Sequence, residues 1–430
     1  MKINFAKLNH ALIPTTKEGR DRFRVSLFGR AMRPFAAVYM ALSEEGRILA
    51  AISMLLGGLG LEVQGTDAHL AWCALTAVLA GSVVVQRRFR LDGVRVEVLA
   101  APRVAVGEEI TFTVMLRNEG EHDAVAVRLV GPFLPWDGRW LAPAPRAMRV
   151  PAGQSVRLEV KARFVERGQH HLDPFEAAAL VPLGLAQGPA IASGGVRFLV
   201  VPRIARVTRL GLPLGRRHQP GGVALASKTG ESMELLGVGP YRAGDPVRHL
   251  HARSWGRRGA PVVREYQEEY FSRVGVLVET AGAGPERVEA ILSLAAGVVA
   301  HLSRGEALID LLVVGGEVHD LTLGRHLGFL EQALDLLACV EVDAEPTGAD
   351  ALLARLSPHL GRLSCMVIVS GSRDGGALGA RIRGAGVGCR TLVGVEGGGS
   401  GAGEREASPK VEEEVVEIDA RAVAGEALVL

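Results

Sequence analysis

RVGVLVE, residues 273–279, decides the fold of this 430-residue chain. Between its terminal Arg273 and Glu279 the run carries no charge, as a buried strand requires. It stops in a loop at residues 280–284. Pro285 then opens a stretch of helical periodicity, residues 285–303, at a first-turn position where proline is tolerated. The alternation continues: residues 307–314 and 318–323 read as strands, and 327–339 and 349–360 as helices. Residues 365–370 read as a strand, 377–382 as a short helix and 388–395 as a final strand. Strands alternating with helices predict a largely parallel sheet with helices on both faces. Ligands of such folds bind at the carboxyl ends of the strands, here the loops after Glu279 and Ser370.

Immediately upstream lies a segment of another kind. Residues 230–266 read GESMELLGVGPYRAGDPVRHLHARSWGRRGAPVVREY. They set Arg242, Arg248, Arg253, Arg257, Arg258 and Arg264 against Glu231, Glu234, Asp245 and Glu265, with a turn-forming Gly244-Asp245-Pro246. So many charges with so little periodicity make either a long functional loop or a solvated connector.

Residues 93–202 show short alternating strands: 94–98, 110–114, 125–129, 156–160 and 196–200. Period-two alternation broken by Gly, Pro and Asn predicts an antiparallel sandwich, with Asn118-Glu119-Gly120 as a hairpin turn. His170 and His171 beside Asp173 suggest a metal site on paper, but neighbours on a strand point to opposite faces.

Nearer the start, residues 1–47 are basic, and two apolar runs follow at 48–61 and 68–85. No apolar core appears before Pro34, which argues against a signal peptide. A spanning helix needs about 17–25 apolar residues. The second run meets that length, whereas the first does so only if extended. The turn at 62–67 holds two acids and no Lys or Arg, while residues 86–90 read QRRFR. Positive-inside asymmetry therefore places both ends in the cytoplasm. The alternative is a buried helical hairpin of a soluble domain. Neither run contains Asp, Glu, Lys or Arg past its interface, so no transport pathway is indicated.

Composition agrees with an anchored protein: 48% hydrophobic residues and a mean hydropathy of +0.21. A net charge of +2 with no basic block argues against nucleic acid. Cys73, Cys339, Cys365 and Cys389 form no CxxC pair, so neither zinc nor a disulfide framework is expected. GxSxG, HExxH and Walker A motifs are missing, and Gly237-Val238-Gly239 lacks the rest of a dinucleotide fingerprint. Ser232, Asp245 and His249 make a triad only on paper. An enzyme is not expected, and no cofactor is expected.

The chain resembles the DUF58 family of bacterial membrane-anchored proteins. YRAGDPVRHL at 241–250 looks like that family's Y-x-x-G-D-x-x-R-x-I signature, and VREY at 263–266 like the motif that follows it. Arg167-Gly168 and PLGL at 182–185 are similar to its R-G and D-P-[FL]-G-L segments. The resemblance spans residues 48–395. Three departures stand out: Ala252 where Trp is usual, Trp255 at a Ser position, and Val181 in place of Asp. It implies a multidomain chain: an N-terminal transmembrane helical hairpin, an antiparallel β-sandwich, then an α/β von Willebrand A-like (Rossmann-type) domain. The implied boundaries are 1–45, a basic cytoplasmic segment; 46–90, two transmembrane helices; and 93–204, the sandwich. The signature segment follows at 205–272, the von Willebrand A-like domain at 273–396, and a Gly-rich linker with an acidic tail at 397–430.

The resemblance further implies a bacterial inner-membrane location, with the large domains in the cytoplasm, and a MoxR-type AAA+ ATPase as partner. Its partner-binding or loop-organising residues are Tyr241, Arg242, Gly244, Asp245, Arg248, Arg264 and Glu265. Von Willebrand A domains bind Mg²⁺ through D-x-S-x-S and a later Asp. Here those positions hold Glu279, Ala281, Ala283 and Ser370, a degenerate set. The expectation is a membrane-anchored interaction or assembly protein. The alternatives are a metal-dependent ligand binder or an uncharacterised enzyme.

Overall fold

A computed structural model describes residues 35, 37–59, 68–213, 219–223, 235–243, 245, 247–266, 270–271, 273–281, 283–305, 307–314, 318–323, 328–340, 348–371, 374–395, 415–424 and 427–430. The chain forms two compact units, Met1–Val200 and Val201–Leu430.

The first unit contains helices α1 (Glu44–Leu59) and α2 (Ala68–Val85), which pack together. Ser53 and Thr76 share a hydroxyl hydrogen bond of 3.0 Å between them, and Gly57 faces the Trp72 ring. Most of the remaining apolar surface is uncovered: Ile48, Met54, Leu55, Leu70 and Val84 are all exposed. Two spanning helices were expected, but His69–Arg88 is the one described stretch long and apolar enough to cross a bilayer. The 16 residues of α1 rise only about 24 Å against a hydrocarbon core of about 30 Å. Its charged start is tied to the sandwich by ion pairs. Arg128, its side chain 8% exposed, pairs with Glu44 at 2.8 Å and Glu45 at 3.3 Å, and Arg146 also meets Glu45.

The sandwich strands are β1 (Val94–Ala100), β2 (Arg103–Ala105), β3 (Glu109–Asn118), β4 (Ala124–Val130), β5 (Gly138–Trp140) and β6 (Arg146–Val150). They continue with β7 (Ser155–Phe164), β8 (Gly168–Leu172), β9 (Glu176–Ala179), β10 (Ile191–Ala192) and β11 (Val196–Val201). They form sheets ordered β1-β3-β7-β5, β10-β9-β4-β6 and β2-β11-β8, with antiparallel pairing in the registers described. Strand β3 shows the cause: Ile110, Phe112, Val114 and Leu116 alternate inward and are nearly or fully buried. All five strands expected from alternation lie within β1, β3, β4, β7 and β11.

The turn at Asn118 is a correction. Strands β3 and β4 belong to different sheets, so Asn118-Glu119-Gly120 starts a crossover rather than a hairpin. Asn118, 1% exposed, organises it by donating to the His122 and Val150 carbonyls and accepting the Gly120 N–H.

His170 also has a structural reason. Its Nε2 lies 2.8 Å from Asp137 Oδ2 and its Nδ1 3.0 Å from the Gly168 carbonyl. Both partners are acceptors, so both ring nitrogens must carry protons, as only the imidazolium allows. Burial pulls the His170 pKa down, but the Asp137 hydrogen bond, the Gly168 carbonyl and the charges of Asp137 and Glu166 together raise it above the ordinary value. A raised folded-state pKa gives stability that is complete below the unfolded value, about 6.5, and is lost as pH rises through the folded one. The sandwich is therefore expected to melt at progressively lower temperature as pH climbs from about 6.5. His170→Phe is expected to flatten that slope in thermal scans.

The second unit contains β12 (Val207–Arg209), β13 (Gln219–Val223), β14 (Leu235–Pro240), helix α3 (Ala252–Arg258), β15 (Val262–Tyr266) and β16 (Tyr270–Phe271). Then come β17 (Arg273–Glu279), α4 (Pro285–Leu302), β18 (Leu308–Val314), β19 (Val318–Leu323), α5 (Gly328–Ala338) and α6 (Ala349–Leu360). The chain closes with β20 (Cys365–Ser370), α7 (Asp374–Gly384), β21 (Gly388–Val395), β22 (Val415–Asp419) and β23 (Leu428–Val429).

The six-stranded sheet runs β19-β18-β17-β20-β21-β22. It is parallel except for β19, which pairs antiparallel with β18. Helices cover both faces. Cys389 of β21 joins a core with Leu352 and Leu356 of α6 and Leu378 and Ile382 of α7, whereas Gly394 faces Ile291 of α4. Helix α4 is buried almost all round because residues 204–208 cross its outer side. A Cβ on Gly297 would fall 2.4 Å from the Ala205 carbonyl oxygen, so glycine is required there. Residues 397–430 were read as a Gly-rich linker and an acidic tail whose glutamates 412–414 lead into a last strand or helix of unread role. The linker lies outside the described residues; β22 is the sixth strand of the sheet, and β23 pairs in parallel with β12.

Candidate functional site

The signature segment is a β-hairpin with a helical crown. Strands β14 and β15 pair antiparallel, Val238 opposite Arg264 and Pro240 opposite Val262. The ladder is extended when Tyr241 donates its N–H to the Pro261 carbonyl and His251 to that of Val262. Val262 and Val263 are buried beneath it. Asp245 closes the turn: its Oδ2 accepts the Arg242 N–H at 2.7 Å, and its own N–H donates to the Arg242 carbonyl. That is the local side-chain turn aspartate is suited to make. Helix α3 ends at Gly259, whose φ of 67° is the left-handed cap that glycine favours.

This frame leaves the cations outside. Arg242, Arg248, Arg253, Arg257, Arg258 and Arg264 are all exposed, with Trp255 44% exposed among them. Arg248 Nε donates to His249 Nε2 at 3.3 Å. The expected site residues thus divide. Asp245 organises the loop, Tyr241 holds the ladder through its backbone, and Arg242, Arg248 and Arg264 are presented to solvent. Gly244 lies outside the described residues, and Glu265 is placed by its backbone opposite Gly237. The site-residue expectation omitted Arg253, Arg257 and Arg258. The i, i+4 spacing of Arg253 and Arg257, with Arg258 beside them, was the available signal.

A second constellation sits where the order of the parallel sheet reverses, between β17 and β20. The carboxyl ends of these strands bring Glu279 beside Ser370, whose Oγ donates to Glu279 Oε2 at 2.9 Å. Glu279 is 4% exposed and Ser370 fully buried. Arg287, in the first turn of α4, donates to the Gly371 carbonyl at 3.2 Å. The neighbouring Thr280 hydroxyl is buried without a hydrogen-bond partner. These residues do not fit Mg²⁺. A hard dication needs six or more oxygens. Among the described residues the crevice supplies one carboxylate, already hydrogen-bonded by Ser370, with methyl groups at Ala281 and Ala283. Among the described residues no group of three or more His, Cys, Asp or Glu could hold a metal ion.

Comparison with known proteins gives no family. No family model matches the chain, and no curated protein matches it. Among solved structures it is similar to an Escherichia coli α2-macroglobulin fragment at 13% identity and TM-score 0.21, over 30% of this chain and 20% of that one. It is also similar to the CARDB domain of a Pyrococcus furiosus protein at 10% identity and TM-score 0.17, over 25% of this chain and 94% of that one. A GH20 exo-β-N-acetylglucosaminidase from Vibrio harveyi matches at 10% identity and TM-score 0.18, over 76% of this chain and 78% of that one. At these TM-scores the likenesses carry no argument about fold or activity.

Proposed function

We propose that this chain is a membrane-anchored, non-enzymatic interaction protein that docks an acidic partner surface on the β14–β15 hairpin and its helical crown. The observation that carries the reading is the exposed group Arg242, Arg248, Arg253, Arg257, Arg258 and Arg264 around Trp255. Arginine forks match carboxylates bidentately, and arginine and tryptophan are the residues most enriched at energetic centres of interfaces. The uncovered apolar face of the α1–α2 hairpin supports the anchor. The resemblance to the DUF58 family names the partner class, a MoxR-type AAA+ ATPase, and the inner membrane as the location. The sheet order with its single antiparallel edge strand supports a von Willebrand A-like reading of the α/β domain.

The test is co-purification from membranes with a MoxR-type ATPase of the same cell. Arg253→Glu with Arg257→Glu on α3 is expected to weaken capture at least about tenfold, because like-charge juxtaposition costs several kcal/mol. Arg139→Glu, an exposed arginine on the sandwich, is expected to leave capture intact. Equal capture by the double variant and the wild type, with matching melting curves, would overturn the proposal.

A further inference from the structure

We propose that Leu183 is a membrane-interface wedge, seated in the headgroup–acyl boundary of the bilayer that holds the α1–α2 hairpin. The inference rests on the anchor reading above and names what the loop beneath the anchor touches.

Leu183 is strained and exposed together. Gly184 donates its N–H to the Val181 carbonyl at 2.8 Å, and Leu183 has φ 73° and ψ −7°. This is a type II turn with Pro182 at its second position and leucine where the left-handed conformation favours glycine. The side chain is 77% exposed. Glycine would remove the strain, and a polar residue would remove the exposed apolar surface. Strain of this kind persists where a function uses the conformation.

The loop's position supplies the occupant, because residues 181–188 touch both roots of the hairpin. On the α1 side, Ser43 Oγ donates to the Gly184 carbonyl at 2.5 Å while capping the helix through the Gly46 N–H. The Ser43 N–H donates to the Leu185 carbonyl, and Leu42 bridges to Ala186. Beyond α2, a Cβ on Gly188 would fall 1.7 Å from the Phe89 carbonyl oxygen and 3.4 Å from that of Gln86. Leu183 therefore sits at the level where both apolar helices leave the sandwich. Its company is interfacial in composition. Val38, Tyr39 and Met40 are exposed just before Ser43, the Arg47 guanidinium lies 4.1 Å from the Tyr39 ring centroid, and Arg87 and Arg88 are exposed beyond α2. Aromatic and apolar tips with cations beside them suit an anionic lipid surface.

The test uses the full chain with Cys73 and Cys339 replaced by serine, since Cys365 and Cys389 are buried. Single cysteines at Leu183, Met54 and Val165 carry an environment-sensitive fluorophore. Met54 is exposed on α1, and Val165 is exposed beyond the Glu109–Arg163 pairing, at the end of the sandwich away from α2. Each protein is reconstituted in phosphatidylcholine–phosphatidylglycerol vesicles, with or without a quencher high on the acyl chain. The expected result is a blue shift and loss of emission at 183 and 54, and neither at 165. Loss at 54 with a 183 label that behaves like 165 overturns the wedge and leaves the anchor standing, as it would if a protein covered the loop. No loss at 54 overturns both. In detergent, Leu183→Gly is expected to melt at or above the wild-type temperature. A lower midpoint would assign the side chain to packing and sink the proposal.

Discussion

Asp310→Ala is expected to destabilise the α/β unit by about 3–5 kcal/mol, the cost of breaking a buried ion pair from one side. Asp310 is fully buried in the middle of the sheet. Arg273 grips it with two hydrogen bonds, Nε to Oδ2 at 2.8 Å and a terminal nitrogen to Oδ1 at 2.9 Å. Thr322 donates to Oδ1 at 2.8 Å, and Arg362 Nε stands 3.1 Å from Oδ2. Alanine would leave the Arg273 guanidinium, its side chain 16% exposed, without its counter-charge. The loss is large beside a total stability of about 5–15 kcal/mol. Amide exchange in β17 and β18 is expected to accelerate by about 10²–10⁴-fold. A change under tenfold would show that water compensates the arginines and that the network contributes little.

Phe112→Ala is expected to cost the sandwich about 3–5 kcal/mol. Phe112 is fully buried on β3 and is the hub of an aromatic cluster. It meets Trp140 edge-on at 6.0 Å and Phe198 edge-on at 5.7 Å, and Phe175 lies tilted at 5.6 Å. Phe112 and Trp140 belong to one sheet, Phe198 to another, and Phe175 to the segment just before β9, so one truncation opens a cavity that no single strand can collapse to fill. Each aromatic pair adds about 0.5–1.5 kcal/mol beyond area burial. Urea unfolding followed by the Trp140 near-ultraviolet signal measures the loss. Under about 1 kcal/mol would mean that the cluster repacks around the gap.

The two predictions differ in how far the sequence anticipates them. Phe112 sits in ITFTV, where alternation already points every second residue inward. Asp310 and Arg273 are charges in or at the edge of apolar strands, LIDLLVV and RVGVLVE, an anomaly the sequence displays without explaining. The explanation needs β17 and β18 side by side in parallel, which places Gly275 opposite Asp310 and lets Arg273 reach across. His170 shows the same division. Strand geometry separates it from His171, but its partner is Asp137 rather than the nearby Asp173.

In the signature hairpin, the turn at Asp245 was legible because turn chemistry is local. The outward display of the six arginines was not, because periodicity is weak there and the β14–β15 pairing sets the face. The first apolar run was legible as a helix. Its short length was legible too, but the pairing of Glu44 and Glu45 with Arg128 was not, since Arg128 lies more than eighty residues downstream (83 from Glu45).

The sequence by itself therefore determined the order and type of most elements, since hydrophobic periodicity and turn residues act over a few positions. It also determined the charge-dense segment, the apolar hairpin and the absence of a complete metal loop at Glu279, Ala281 and Ala283. The tertiary structure alone decided which strands are neighbours. That choice gave the strand after the acidic run its place in the sheet and turned the Asn118 turn into a crossover. It also brought Glu279 to Ser370, and Leu183 to the root of the hairpin. Periodicity tells a residue which face it occupies, but only long-range pairing tells it what stands opposite.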